Sequence, residues 1–224
     1  MVITGGTGGL GAGVVATFLA RGADVHLPIF EPELPAHLPW RGDARVHAQR
    51  VSLDDEAQVS AFYGALPDLW ASVHLVGGFA MAPIAQTSLA DFDKQWRLNA
   101  VTCFLACREA VKAIRRGKTG GGRIVNVAAR PVLVPVANMA AYAASKAAVA
   151  SLTQSLAAEL LAEDILVNAV MPSIIDTPAN RASMPKADHA SWPTPAQLAD
   201  TIVFLASDQN ALTTGTLVPV YGRA

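Results

Sequence analysis

Apolar positions along this chain fall into short β-like runs that alternate with stretches of helical periodicity. Residues 2–4, 24–29, 45–51, 72–76, 123–128, 165–170 and 216–220 form compact apolar or alternating runs bounded by turn residues, the pattern of strands. Helical patterns begin near Gly9, Asp54, Ser88, Met139 and Pro195. Strands followed by helices predict right-handed crossovers onto a parallel sheet, so the expected architecture is one doubly wound α/β domain with about seven strands. No repeat, low-complexity tail or composition shift divides the chain, and residues 1–224 are read as a single domain. Residues 172–195, rich in Pro, Ser and Asn, are expected to form a lid over a small substrate. Pro32, Pro35 and Pro39 make residues 31–40 a second irregular segment that cannot continue a helix.

Composition narrows the partners. Of 224 residues, 52% are apolar and 16% charged, and no apolar run reaches membrane length, which predicts a soluble globular protein. A formal charge of -1 without a Lys/Arg stripe argues against nucleic acid and anionic membranes and leaves small molecules. No basic, apolar leader follows Met1, so the cytoplasm is the expected compartment. Cys103 and Cys107, four apart in a helical pattern, suit core packing and supply neither a disulfide framework nor a four-ligand metal site. His26, His37, His47, His74 and His189 are scattered without ligand spacing, and no metal is expected.

The candidate chemistry begins at Thr4-Gly5-Gly6-Thr7-Gly8-Gly9-Leu10-Gly11, which follows the first strand and opens the first helix. Glycines there let the backbone turn tightly and approach a pyrophosphate, while the positive helix end attracts the anion. Alone, such a turn also suits a flexible loop; its place between strand and helix makes dinucleotide binding the leading reading, with Gly5, Gly9 and Gly11 as the key positions and Thr7 and Leu10 beside them. An acid at the end of the second strand would read the adenosine ribose of NAD, and an Arg would admit the phosphate of NADP. That position is Ile29; Glu31, two residues on, either reaches the ribose or is a solvated turn residue. With no Arg or Lys in the turn or at the strand end, the cofactor is NAD or NADP, with NAD favoured.

Tyr142 and Lys146 lie four apart in an alanine-rich helical run and so share a face. An ammonium beside a phenol favours the phenolate and is expected to lower the tyrosine pKa. By itself this is an ordinary pair on a helix surface.

Taken together, the glycine turn, Tyr142-x-x-x-Lys146, Asn99 in Arg97-Leu98-Asn99-Ala100, Arg123-Ile124-Val125-Asn126-Val127, and Val167 to Pro172 followed by Thr177 resemble the short-chain dehydrogenase/reductase family over nearly the whole chain. The resemblance implies a Rossmann-type fold and hydride transfer between a nicotinamide and a small substrate. It makes Tyr142 the catalytic acid/base, gives Lys146 the nicotinamide ribose, and has Asn99 support a water-linked proton relay. It also places Gly77, Pro172, Ile175 and Thr177 against the cofactor, the last two near the carboxamide. The alanine-rich helix from Ala140 often sits at a subunit interface in this family, which implies a homodimer or homotetramer.

Two departures stand out. Val76-Gly77-Gly78-Phe79 replaces the usual Asn-Asn-Ala-Gly, and the position of the family's catalytic serine, thirteen residues before Tyr142, is Ala129. Both are similar to the quinonoid dihydropteridine reductase branch, as is the segment from Asp176 to Asp188 with Ser191-Trp192. Ile29 and Asn99 depart from that branch. The expected activity is therefore an NAD(P)H-dependent oxidoreductase, with a quinonoid dihydropterin as a candidate substrate; alternatives are a conventional carbonyl or alcohol oxidoreductase lacking the serine, and a non-catalytic nucleotide-binding protein. Phe79, Met81, Met139 and Trp192 are candidates to sandwich a flat substrate, with ordinary core the expectation for Met139, and Asn180 and Arg181 are candidates to hydrogen-bond it.

Overall fold

A computed structural model describes residues 1–223. Seven strands alternate with helices: β1 (Val2–Thr4), α1 (Gly11–Ala20), β2 (Val25–Ile29), β3 (Val46–Arg50), α2 (Glu56–Gly64), β4 (Ala71–His74), α3 (Leu89–Trp96), α4 (Thr102–Arg116), β5 (Gly122–Val127), α5 (Ala140–Leu160), β6 (Ile165–Pro172), α6 (Pro178–Ser183), α7 (Pro195–Ala206) and β7 (Leu217–Val220). All pairings are parallel, in the order β3-β2-β1-β4-β5-β6-β7. The order reverses between β1 and β4, and the carboxyl ends of these two strands open the crevice where ligands of such sheets bind.

The central strands are buried along their whole length because helices cover both faces. Successive residues alternate between two cores: Ile124 faces α2, α4 and α5, whereas Val125 faces α1 and α7. The helices carry their own stop and start chemistry. Ser88 and Asp91 close a capping box on α3, Thr194 and Gln197 another on α7, and Asp55 caps α2.

Several boundaries differ from the sequence expectation. Strand β4 ends at His74 rather than 76, because Leu75 and Val76 peel off toward the glycine turn, where a Cβ on Gly5 would lie 2.9 Å from Val76 N. The helical pattern from Ser88 is two helices joined by a π-helical turn, Arg97–Val101. Residues 172–195 are more ordered than a loop: they begin in β6 and contain α6 and a 3-10 turn, His189–Ser191. Residues 31–40 are irregular as expected, yet docked, since Leu38 and Trp40 are buried and Trp40 Nε1 donates to Ala12 O at 2.9 Å. No helix among the described residues is long and apolar enough to cross a membrane.

Candidate active site

The glycine turn joins β1 to α1 at the crevice. Gly5 has φ +69°, a conformation that disfavours a side chain, and a Cβ on Gly11 would fall 2.0 Å from Gly5 O. These two glycines therefore let the turn fold back on itself at the amino end of α1, with Leu10 half-buried at the N-cap. Gly9 faces the far side of the crevice, where a Cβ would meet Thr177 Cγ2 at 3.1 Å. Thr7 Oγ1 donates to Glu31 Oε1 at 3.0 Å, so Glu31 lies against the turn, while Ile29 is buried.

Opposite the turn, Gly77, Asn99 and Lys146 converge. A Cβ on Gly77 would sit 2.7 Å from Asn99 Oδ1 and 3.0 Å from Lys146 Nζ. Asn99, on the π turn, clips the chain after β4 from both sides: Gly78 N donates to its Oδ1 and its Nδ2 donates to Gly78 O, both at 3.0 Å. The same Nδ2 reaches Ser145 Oγ at 3.1 Å, and Gln95 Nε2 holds Ala80 O at 2.9 Å. Asn99 is fully buried, and its side chain is spent on backbone and Ser145.

Lys146 Nζ donates to Val127 O at 2.8 Å, at the end of β5. Burial lowers Lys146 to about 8 and raises Tyr142 to about 12. The expectation that Lys146 lowers the tyrosine is thus corrected. The helical spacing does put both on α5, but the ammonium turns to Val127 O, and desolvation of the phenol is the effect that remains. A phenol raised in this way stays protonated at neutral pH and so is able to donate.

Ala129, buried two residues beyond the end of β5, offers only a methyl group at the position of the family's serine hydroxyl. Phe79 stands edge-on to Tyr142 with ring centroids 5.0 Å apart, forming one wall beside the phenol. Next to Ala129, the Arg130 guanidinium lies 5.2 Å over the Tyr221 ring. The other pocket candidates behave differently. Met81 is exposed, Met139 is half-buried at the N-cap of α5 rather than in the core, and Trp192 is buried against His189.

Pro172, Ile175 and Thr177 run from the end of β6 along the crevice, with Pro172 and Thr177 buried and Ile175 half-buried. Thr177 also caps α6. Asn180 and Arg181, candidates for substrate contact, are engaged within their own segment: Asn180 Nδ2 donates to Ile175 O at 2.8 Å, and Arg181 makes a two-pronged pair with Asp176.

Behind this crevice lies a group that sequence spacing did not reveal. His74, Cys103 and Cys107 are buried with their ligand atoms all within 4.8 Å of one another, although the histidines are scattered in sequence. His74 is 33 residues from Cys107 in sequence, so only the pairing of β4 with the core brings them together.

The model of the family described as short chain dehydrogenase matches residues 1–188. A 3alpha-hydroxysteroid dehydrogenase of Mediterraneibacter gnavus is 32% identical, covering 100% of this chain and 95% of that protein. A 2-(R)-hydroxypropyl-CoM dehydrogenase of Xanthobacter autotrophicus is 29% identical over 99% of this chain and 96% of its own length. Among solved structures, ElxO with NADP bound superposes with a TM-score of 0.89 at 24% identity, covering 99% of this chain and 96% of that one, which is a likeness of fold.

Proposed function

From the premise that this chain belongs to the short-chain dehydrogenase family, whose members are NAD(P)-dependent oxidoreductases, we propose that it reduces a conjugated, already electrophilic small molecule, a quinonoid dihydropterin being the class that suits the site. The observation that carries this reading is that position 129, just past the end of β5, bears only a buried methyl group, while burial keeps the Tyr142 phenol protonated. A carbonyl reduced to an alkoxide asks for more than one donor at the developing charge, and each is worth roughly a hundredfold. A quinonoid ring spreads that charge over its own conjugated nitrogens, so one phenol suffices.

Gly5, Gly9, Gly11 and Gly77 allow the close backbone and side-chain packing that shapes the turn and its far wall, and a dinucleotide would lie along this switch-point crevice with Thr7, Leu10, Pro172, Ile175 and Thr177 beside it. When bound, the nicotinamide supplies the hydride. Tyr142 donates the proton, Lys146 holds the ribose, and Asn99 fixes the strand end on which Gly77 and Gly78 approach. Phe79 supplies an apolar wall for a flat ring, and residues 172–195 cover it. Glu31 supports NAD over NADP: a carboxylate held by Thr7 at the turn accepts from ribose hydroxyls and repels a phosphate. NADH should bind at least tenfold tighter than NADPH by fluorescence titration, and Glu31→Ala should narrow the gap; equal affinities in the unaltered protein would remove Glu31 from cofactor choice.

A second reading, a conventional carbonyl or alcohol oxidoreductase, is supported by the names of the similar dehydrogenases. One assay separates the two. Steady-state turnover with NADH is measured on a quinonoid dihydropterin and on a panel of ketones, for the unaltered protein, Tyr142→Phe and Ala129→Ser. The pterin reading expects turnover on the pterin, a loss of about 10²–10⁴-fold in Tyr142→Phe with NADH binding intact, and little gain on ketones from Ala129→Ser. Turnover confined to ketones and raised by the new hydroxyl would replace it with the second reading.

A further inference from the structure

We propose that His74, Cys103, Cys107 and the Oδ1 of Asn126 form a closed, structural Zn²⁺ site that ties α4 to the centre of the sheet behind the crevice. All four residues are buried, with exposures of 3%, 5%, 1% and 0%. The proposal is independent of the substrate reading above, because none of the four has a role in it.

Geometry carries the argument. A tetrahedral zinc with Zn–S of about 2.3 Å and Zn–N or Zn–O of about 2.0–2.2 Å requires edges of about 3.8 Å between sulfurs and about 3.6 Å from sulfur to nitrogen or oxygen. Here Cys103 Sγ and Cys107 Sγ are 4.0 Å apart, Cys107 Sγ is 3.4 Å from His74 Nδ1, and both sulfurs are 3.4 Å from Asn126 Oδ1. These four edges already lie within about 0.2 Å of the tetrahedral ones. The fifth, His74 Nδ1 to Asn126 Oδ1, is 2.8 Å, a hydrogen bond that a cation would open by about half an ångström, and the sixth, Cys103 Sγ to the His74 imidazole, lies within 4.8 Å and would have to close toward about 3.6 Å as the metal draws the ligands in.

The surroundings fix the ligands in place. Asn126 Nδ2 donates to Thr153 Oγ1 at 2.9 Å, which turns Oδ1 toward the sulfurs and the imidazole. His74 Nε2 is held by Ser72 Oγ at 2.8 Å, and Ser72 by Tyr63 OH at 2.9 Å, the outer partner that an imidazole bound through Nδ1 requires. The i, i+4 cysteines share one face of α4 and aim at the same point. Charge also balances: binding displaces two thiol protons, and two thiolates neutralise the dication, so no net charge is left in the core. The imidazole proton moves to Nε2 and is donated to Ser72.

Because the site is sealed, the metal should load as the chain folds. The full chain is unfolded with reductant and refolded with one equivalent of Zn²⁺ or Co²⁺, then freed of loose metal on a desalting column. One zinc per chain is expected, and the cobalt form should show a thiolate-to-cobalt charge-transfer band with the intense visible bands of tetrahedral cobalt. Zinc should raise the melting temperature of the unaltered protein and leave that of a Cys103→Ala/Cys107→Ala chain unmoved, with metal content at least tenfold lower. Refolded unaltered protein with less than a tenth of an equivalent of metal and no charge-transfer band would overturn the proposal without any variant. Metal retained in full by the double variant would overturn it equally.

Discussion

Lys146 is buried among α5 and the end of β5 and has one backbone acceptor, Val127 O. Its pKa falls from 10.5 to about 8 because burial penalises the ammonium. The unfolded chain therefore holds this proton to higher pH than the folded one, and stability from this residue rises with pH across the window from about 8 to 10.5, the cost of the buried charge being full below it. The gain across the window is on the order of 3 kcal/mol. Urea unfolding at a series of pH values should show the unaltered protein gaining on Lys146→Met by that amount; parallel curves would mean the ammonium is not desolvated. Tyr142 has the opposite sign: its pKa is raised to about 12, so its contribution falls as pH climbs past the ordinary value of 10.0. The four-residue spacing of this pair was legible in the sequence, but where each polar tip points was not. Spacing fixes a helix face, and the tip is decided by Val127 O, a carbonyl from another element.

At the scale of elements, the strands were legible because a strand covered on both faces reads as a continuous apolar run, and β4, β5 and β6 are buried throughout. The π turn between α3 and α4 left no such mark. Arg97–Val101 is as helical in pattern as its flanks, and what widens it is seen only in three dimensions, as Asn99 hydrogen-bonds both polar groups of Gly78. Just past the early end of β4, Gly77 packs where a Cβ would meet both Asn99 and Lys146. Asn99→Ala would leave the Gly78 N–H and carbonyl without these partners, at about 1–3 kcal/mol. Melting should fall by roughly 2–10 °C, and turnover should fall with it as the strand end loosens. A variant with unchanged melting would show that the clip does not hold the segment.

For the whole molecule, a parallel doubly wound sheet followed from alternating strands and helices, whereas the strand order is set by how the crossovers pack, and the crevice at the β1/β4 reversal brings the glycine turn, Gly77 and Thr177 together. What remains uncovered is an outer helical surface. On α5 the exposed positions Ala140, Ala144, Ala147, Ser151, Ser155 and Ala158 repeat at three and four residues, a stripe of small side chains that lets another helix approach closely. Trp96, Leu98 and Phe104 are exposed on the neighbouring α3–α4 unit, large apolar groups that the fold itself does not cover. A second copy meeting this one about a two-fold axis would bury the aromatics against the small-residue stripe. We propose that the chain self-associates through this surface. Sedimentation equilibrium should return the mass of two chains or four, and Ala147→Arg, which thrusts a charge into the stripe without touching the core, should shift the population toward single chains while circular dichroism stays the same. A monomeric unaltered protein at micromolar concentration would leave those exposed rings without this partner and would end the self-association proposal.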